Sequence, residues 1–255
     1  MDIETFLSEN CETLQKLTDF MLEYNAHTNL TRITEQSEII EKHYIDSILP
    51  LVLLCGGFQA ECSKTQTLDG RATLPEGMPL NIPPTFCVPR GTSVLDVGSG
   101  AGFPGVLWKL YRPDLTVTLL DSARKRTDYL SALLRELGVG CRVVTARSEE
   151  LAHEAAERER YGAVTARAVA NLAALCEYCL PFVAVGGVFL ALKGEDCETA
   201  VASAAMSALG GELEAVHKYA LPSGDKRSLV VVRKVRQTPT KYPRKRINIV
   251  KNPIL

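Results

Sequence analysis

A chain of 255 residues with 46% apolar side chains can bury one large core, and its 29 bases and 30 acids leave a formal charge of −1. No apolar run reaches the roughly 18 residues of a membrane span, and Met1-Asp2-Ile3-Glu4 is not a basic leader, so neither a span nor a secretion signal is expected. The cysteines are then expected as reduced thiols in a cytoplasmic protein, a monomer by default. Cys176-Glu177-Tyr178-Cys179 has no second ligand pair and no clustered histidines, so it is expected as buried helical cysteines and not as a metal site.

Residues 2–24 carry Phe6, Leu14, Leu17, Phe20, Met21 and Tyr24 at roughly helical spacing. Asn25 to Asn29 interrupts the pattern. A second helix is predicted to start at Thr34, as N-cap, and to run through Leu51. His43 and Asp46 share one face of it and read as a polar pair tying this helix to the core. Residues 1–54 are therefore expected as an N-terminal helical cap. Residues 55–91 lose all periodicity and hold prolines 75, 79, 83, 84 and 89, which reads as a Pro/Gly-rich insertion.

Residues 92–105 read TSVLDVGSGAGFPG: a buried strand, a tight turn, and a helix with Pro104 in its first turn. Such a turn beside a strand end is where α/β sheets hold nucleotide-like ligands. Gly100 to Gly105 also matches the G-x-G-x-x-G pattern, which leaves an NAD-dependent oxidoreductase open. Strands are predicted at 115–120, 142–146, 161–166 and 187–192, alternating with helices at 123–137, 148–158, 171–182 and 199–209. This alternation argues for a parallel sheet covered on both faces. Two strands, 214–221 and 228–235, then form an antiparallel hairpin at the sheet edge, with Gly224-Asp225 in the connection. The simplest dinucleotide fold is wholly parallel and has no such hairpin. Residues 92–236 are expected as the main domain.

The last stretch, 237–255, is a basic tail. Between Arg233 and Lys251 stand eight bases and no acid, leaving 21 bases against 30 acids on the rest of the chain. A basic segment on an acidic body points to a polyanion partner. A non-catalytic RNA- or ribosome-binding factor is therefore a second open alternative.

Several stretches, in order and across nearly the whole chain, resemble the RsmG (GidB) family of bacterial 16S rRNA methyltransferases. They are Tyr24-Asn25 with Asn29-Leu30-Thr31, His43-Tyr44-Ile45-Asp46-Ser47, Leu95 to Gly105, and Leu120-Asp121-Ser122 with Lys125-Arg126. They continue with Ala146-Arg147-Ser148-Glu149-Glu150, Ala166-Arg167-Ala168, Leu192-Lys193-Gly194 and Lys241-Tyr242-Pro243-Arg244-Lys245. The insertion is longer than the link this family usually has there. The resemblance implies a class I S-adenosylmethionine-dependent methyltransferase: a Rossmann-like α/β sheet with a terminal antiparallel hairpin and an N-terminal helical cap. It implies methyl transfer to N7 of a guanine in 16S ribosomal RNA, with S-adenosylmethionine as cofactor and 16S rRNA or the small ribosomal subunit as partner.

The family's cofactor contacts fall on Gly98, Phe103, Ser148, Glu149 and Arg167, with Gly100 in the same loop. Phe103 is read as an apolar wall. Asp121 ends the second strand, where a carboxylate can accept from ribose hydroxyls or cap the next helix. Ser148 and Glu149 read either as adenine-side contacts or as an N-cap and first-turn acid. Asp96, inside a strand, is expected to brace the glycine loop. Arg167, Lys193, Lys241, Arg244 and Lys245 are placed on the RNA side. Alanine at Lys241, Arg244 and Lys245 is expected to weaken RNA binding and leave cofactor affinity alone. Guanine N7 offers a lone pair without losing a proton, so no general base and no catalytic residue is assigned.

Overall fold

The structure is a computed structural model, described for residues 1–54 and 88–254. Residues 55–87, and with them most of the 55–91 insertion, lie outside the described residues.

Seven strands form one sheet: β1 (Ser93–Val97), β2 (Thr116–Asp121), β3 (Arg142–Thr145), β4 (Tyr161–Arg167), β5 (Val183–Lys193), β6 (Gly211–Ala220) and β7 (Lys226–Lys234). Their order is β3-β2-β1-β4-β5-β7-β6. The first five are mutually parallel, and β7 runs antiparallel to both β5 and β6. The predicted hairpin is present, but it does not simply append to the edge. Its second strand inserts beside β5, and its first becomes the edge strand. Successive residues of β1 look into opposite faces, both dry: Val94 packs into one core and Leu95 into the other. That two-sided burial is why the strands read as short apolar runs.

The first face carries α1 (Ile3–Glu9), α2 (Cys11–Thr28), α3 (Gln36–Ile39), a π-helical turn (Ile40–Ile45), α4 (Asp46–Leu54), α5 (Gly105–Tyr111) and α6 (Arg124–Leu137). The single helix predicted over 2–24 is two helices. Asn10 ends the first, its amide side chain donating to the Phe6 carbonyl at 2.9 Å. The second predicted helix has Glu35, not Thr34, at its N-cap. Phe20 and Tyr24 of α2 pack on Tyr129 of α6, with ring centroids 6.0 and 5.3 Å away. The buried Trp108 indole donates to the Ser47 carbonyl at 2.7 Å. Residues 1–54 thus share one continuous core with the sheet.

The second face carries α7 (Ser148–Leu151), α8 (Leu172–Cys179), α9 (Thr199–Ala208) and α10 (Arg246–Lys251). The helix predicted over 148–158 is a single turn, and the remainder is irregular. Cys176 and Cys179 are both buried in α8. Among the described residues, no helix is long and apolar enough to cross a membrane.

The basic tail is not a free arm. Ile249 is fully buried in the second core. Arg158 donates to the carbonyls of Thr238, Pro239 and Tyr242 at 2.8, 3.3 and 3.0 Å. His153 Nε2 lies 2.9 Å from the Pro243 carbonyl. Arg244 grips both oxygens of Glu177, at 2.7–3.2 Å, and its backbone N–H donates to the same carboxylate at 2.7 Å.

Candidate active site

Two clefts open at the C-terminal ends of the parallel strands, the usual position for ligands on open α/β sheets. They share Arg167, Ala168 and Ala170 as a common wall. Ala168 takes a left-handed conformation (φ 56) just after β4, a region that non-glycine residues seldom occupy. The turn it makes sends residues 168–170 along both clefts.

The first cleft has a volume of about 400 Å³, within the range of small-molecule sites. Gly98, Asp121, Ser148, Glu149 and Tyr178 line it, together with Arg246 and Val250 of α10. Gly98 has φ 75, and a Cβ there would sit 2.7 Å from Val169 Cγ2 across the cleft. Any side chain would close the cleft here, so glycine keeps it open. Asp121 is 3% exposed, yet its carboxylate lies on the wall. Its Oδ2 accepts from the Gly100 N–H at 3.1 Å and its Oδ1 from the Ala123 N–H at 2.9 Å. The two sequence readings of Asp121 are therefore compatible: it supports the start of α6 and still has lone pairs to offer a hydroxyl. Glu149 is buried in the first turn of α7, where the helix N-terminus favours a carboxylate. Gly100 does not line the cleft; it acts through Asp121.

Phe103 also lies off the cleft wall. It is 4% exposed and stacks on His43 at 4.6 Å between centroids, beneath the cap. The apolar wall expected from it is replaced by a packing role, because the turn after Gly102 directs its ring toward the cap. Asp96 braces the loop as anticipated: its Oδ2 accepts from the Gly105 N–H at 3.0 Å, and Oδ1 has no hydrogen-bond partner among the described residues. Burial pushes this carboxyl up to about 7. The native state therefore keeps a proton that the unfolded chain releases above about pH 4, and stability falls as pH rises from about 4 to 7. Asp96→Asn removes that loss. Relative to the parent, the variant should gain stability between about pH 5 and pH 8, measured as the difference in urea midpoints. A constant difference across that window would refute the assignment.

The second cleft is lined by Lys42, His43, Asp46, Arg167, Lys193 and Arg227, with small and apolar groups between them. Arg167 is neither an exposed phosphate-binding arginine nor a surface salt bridge. Its side chain is 14% exposed and points into the cap, 2.9 Å from the Lys42 carbonyl and 3.3 Å from both Asp46 Oδ2 and His43 Nδ1. Asp46 Oδ1 takes Tyr219 Oη at 3.2 Å and Arg227 Nε at 3.5 Å. Arginine has only donors, so His43 Nδ1 is the acceptor. Its Nε2–H then donates to Thr31 Oγ1 at 3.0 Å. Burial and the Arg167 charge hold His43 down to about 3, so it is neutral. The pair expected to tie the cap to the core does so, with Arg167 as the link.

Lys193, at the end of β5, lies 3.2 Å from both the Ala170 carbonyl and Glu198 Oε2. Arg244 is committed to Glu177 and is not a free cation for RNA. Lys241 and Lys245 are exposed. Arg246 and Val250 of α10 line the first cleft. Neither was singled out from the sequence; the one cue was the apolar spacing of Ile247, Ile249 and Val250 within a basic run.

A sheet of this order, closed by an inserted antiparallel strand and open at the ends of β1, β2 and β4, is that of a class I methyltransferase. A similar fold occurs in a 16S rRNA adenine-N1 methyltransferase from Catenulisporales acidiphilia, with a TM-score of 0.50, 14% identity, and coverage of 59% of this chain and 88% of that one. Residues 82–230 match the family model described as rRNA small subunit methyltransferase G. The chain is 38% identical to ribosomal RNA small subunit methyltransferase G of Clostridium novyi over 93% of its length and 86% of the relative's. It is 42% identical to the protein of the same name from Lactobacillus delbrueckii subsp. bulgaricus, over 88% of this chain and 83% of that one. The chain belongs to the rRNA small subunit methyltransferase G (GidB) family. It is a methyltransferase whose cofactor is S-adenosylmethionine, and the dinucleotide reading of the G-x-G-x-x-G match falls.

Proposed function

We propose that the chain transfers the S-adenosylmethionine methyl group to N7 of a guanine in 16S ribosomal RNA, the first cleft holding the cofactor and the second the base. The donor set suits the cofactor. Asp121 offers lone pairs to the ribose hydroxyls, Glu149 and Ser148 face the adenine end, Gly98 leaves the backbone approachable, and Arg246 and Val250 cover the outer side. When bound, the cofactor supplies an electrophilic methyl group on a sulfonium. The chain supplies alignment across the wall formed by residues 167–170.

The state of the groups in the second cleft supports transfer to a ring nitrogen that already carries a lone pair, the class to which guanine N7 belongs. His43 has both nitrogens engaged, and Asp46 is paired with two arginines and a tyrosine. Neither is free to take a proton, and N7 alkylation requires no proton removal. Methylation of an exocyclic amine or a hydroxyl would require one. The rate then rests on positioning and a fixed electrostatic frame.

The division of labour within the chain follows: residues 1–54 and 92–236 form one catalytic body, and residues 237–254 are docked on it, with α10 as part of the cofactor site. Exposed Lys241 and Lys245 remain as RNA-facing cations, acting in a cytoplasmic setting. The test supplies labelled cofactor with three substrates: deproteinised 16S rRNA lacking the modification, intact small subunits lacking it, and large-subunit RNA. Label is expected in small-subunit RNA only; label in large-subunit RNA, or in none, would overturn the proposal.

A further inference from the structure

We infer that the second cleft selects guanine through the base's O6, and that Lys193 is the residue that donates to it. The inference rests on the proposed methyl transfer to a purine N7. At the major-groove edge guanine presents two acceptors, N7 and O6, whereas adenine presents the N7 acceptor beside an N6 amino donor. N7 must stay free for the methyl group, so O6 against N6 is the difference a protein can read next to the reacting atom.

The cleft is built to read it in one sense. The side-chain acceptors in its wall, Asp46 and His43 Nδ1, are already engaged by donors of the chain. Asp46 receives Arg167, Arg227 and Tyr219 at 3.2–3.5 Å, and His43 Nδ1 receives Arg167 at 3.3 Å. The donors are in excess. Lys193 carries three N–H groups and has two partners, the Ala170 carbonyl and Glu198. The Ala170 contact holds it against the 167–170 wall shared by the clefts, with its side chain 15% exposed. Glu198 offsets its charge, so what Lys193 offers a base is a directed N–H and not a large net field that would oppose charge build-up on the alkylated ring. An adenine here would set its N6 amino group against the Lys193 ammonium, donor to donor. A site built around one hydrogen bond discriminates strongly against analogues that cannot make it.

The methylated guanine is first located by borohydride–aniline cleavage, and 16S rRNA is then ligated with inosine or 2-aminopurine at that position. Inosine keeps N7 and O6 and loses the 2-amino group; 2-aminopurine keeps N7 and loses O6. The parent enzyme is expected to methylate inosine within a few-fold of guanine, and 2-aminopurine about 10- to 100-fold more slowly in kcat/KM, the range of one lost bond to a charged donor. Lys193→Met should slow guanine by a similar factor and collapse the guanine to 2-aminopurine ratio, whereas Lys193→Arg retains the preference. An unchanged ratio in Lys193→Met would overturn the role of Lys193. If that variant does not fold, judged by cofactor binding, the parent arm decides, and equal rates on guanine and 2-aminopurine refute O6 recognition. A parent enzyme that transfers no methyl to guanine overturns the underlying reaction instead, and so is distinguishable.

Discussion

Arg167→Met is expected to abolish most methyl transfer and to lower stability by about 3 kcal/mol, at the low end of what breaking a buried ion pair costs. The guanidinium bridges parts of the chain far apart in sequence: Lys42, His43 and Asp46 of the cap meet it at the end of β4. Its carbon also lies 5.6 Å from the Phe103 ring centroid. Methionine fills the volume but leaves the Lys42 carbonyl and His43 Nδ1 without a donor. Asp46 keeps Tyr219 and Arg227, which is why the expected loss is not larger. Because Arg167 belongs to the wall of both clefts, the defect should appear in kcat as well as in KM for RNA. Asp46→Asn in the same background should recover part of the lost stability, since no carboxylate is then left under-paired. Urea denaturation of the four-variant cycle checks this; strict additivity of the two changes would show that the pair is not coupled.

Arg244→Ala is expected to weaken S-adenosylmethionine binding about 10- to 100-fold, the opposite of the sequence expectation that tail cations leave cofactor affinity alone. Glu177 is 1% exposed and receives the whole Arg244 fork. Without that fork the chain either keeps an under-paired buried carboxylate, at a cost of about 3–5 kcal/mol, or releases the tail. Release would take Arg246 and Val250 away from the first cleft, and an under-paired Glu177 beneath the tail loosens the same segment. Calorimetric titration of the cofactor reads the effect directly. Arg244→Lys should be intermediate, because an ammonium cannot reproduce the bidentate contact. Lys241→Ala should leave cofactor binding unchanged, as that side chain is exposed and only lies over the Tyr242 ring, at 5.1 Å. Unaltered cofactor affinity in Arg244→Ala would remove the tail from the site.

The sheet was legible because parallel strands buried on both faces leave short apolar runs separated by amphipathic helices, and because two strands joined by a short Gly-containing connection favour a hairpin. The loop after β1 was legible from its glycines, and Asp121 from its place at the end of β2. What escaped depends on contacts distant in sequence. Phe103 beside the glycines resembles a cofactor wall until the cap's His43 is seen stacked on it. Arg167 resembles a phosphate ligand until Asp46, 121 positions earlier, is seen to claim it. The tail's charge suggested a segment given over to a polyanion partner, because composition does not reveal that Glu177, 67 positions away, is buried and needs Arg244. The π-helical turn at Ile40–Ile45 leaves no mark in the apolar spacing, yet it carries His43 into the second cleft.

The position of the methyl group on the RNA decides whether guanine N7 is the acceptor. Purified protein is incubated with S-adenosylmethionine and small subunits lacking the modification, and the 16S rRNA is then treated with borohydride and aniline. Strand scission is expected at one guanine, dependent on both enzyme and cofactor. Methyl incorporation without scission, which places the group on an atom other than guanine N7, would contradict it.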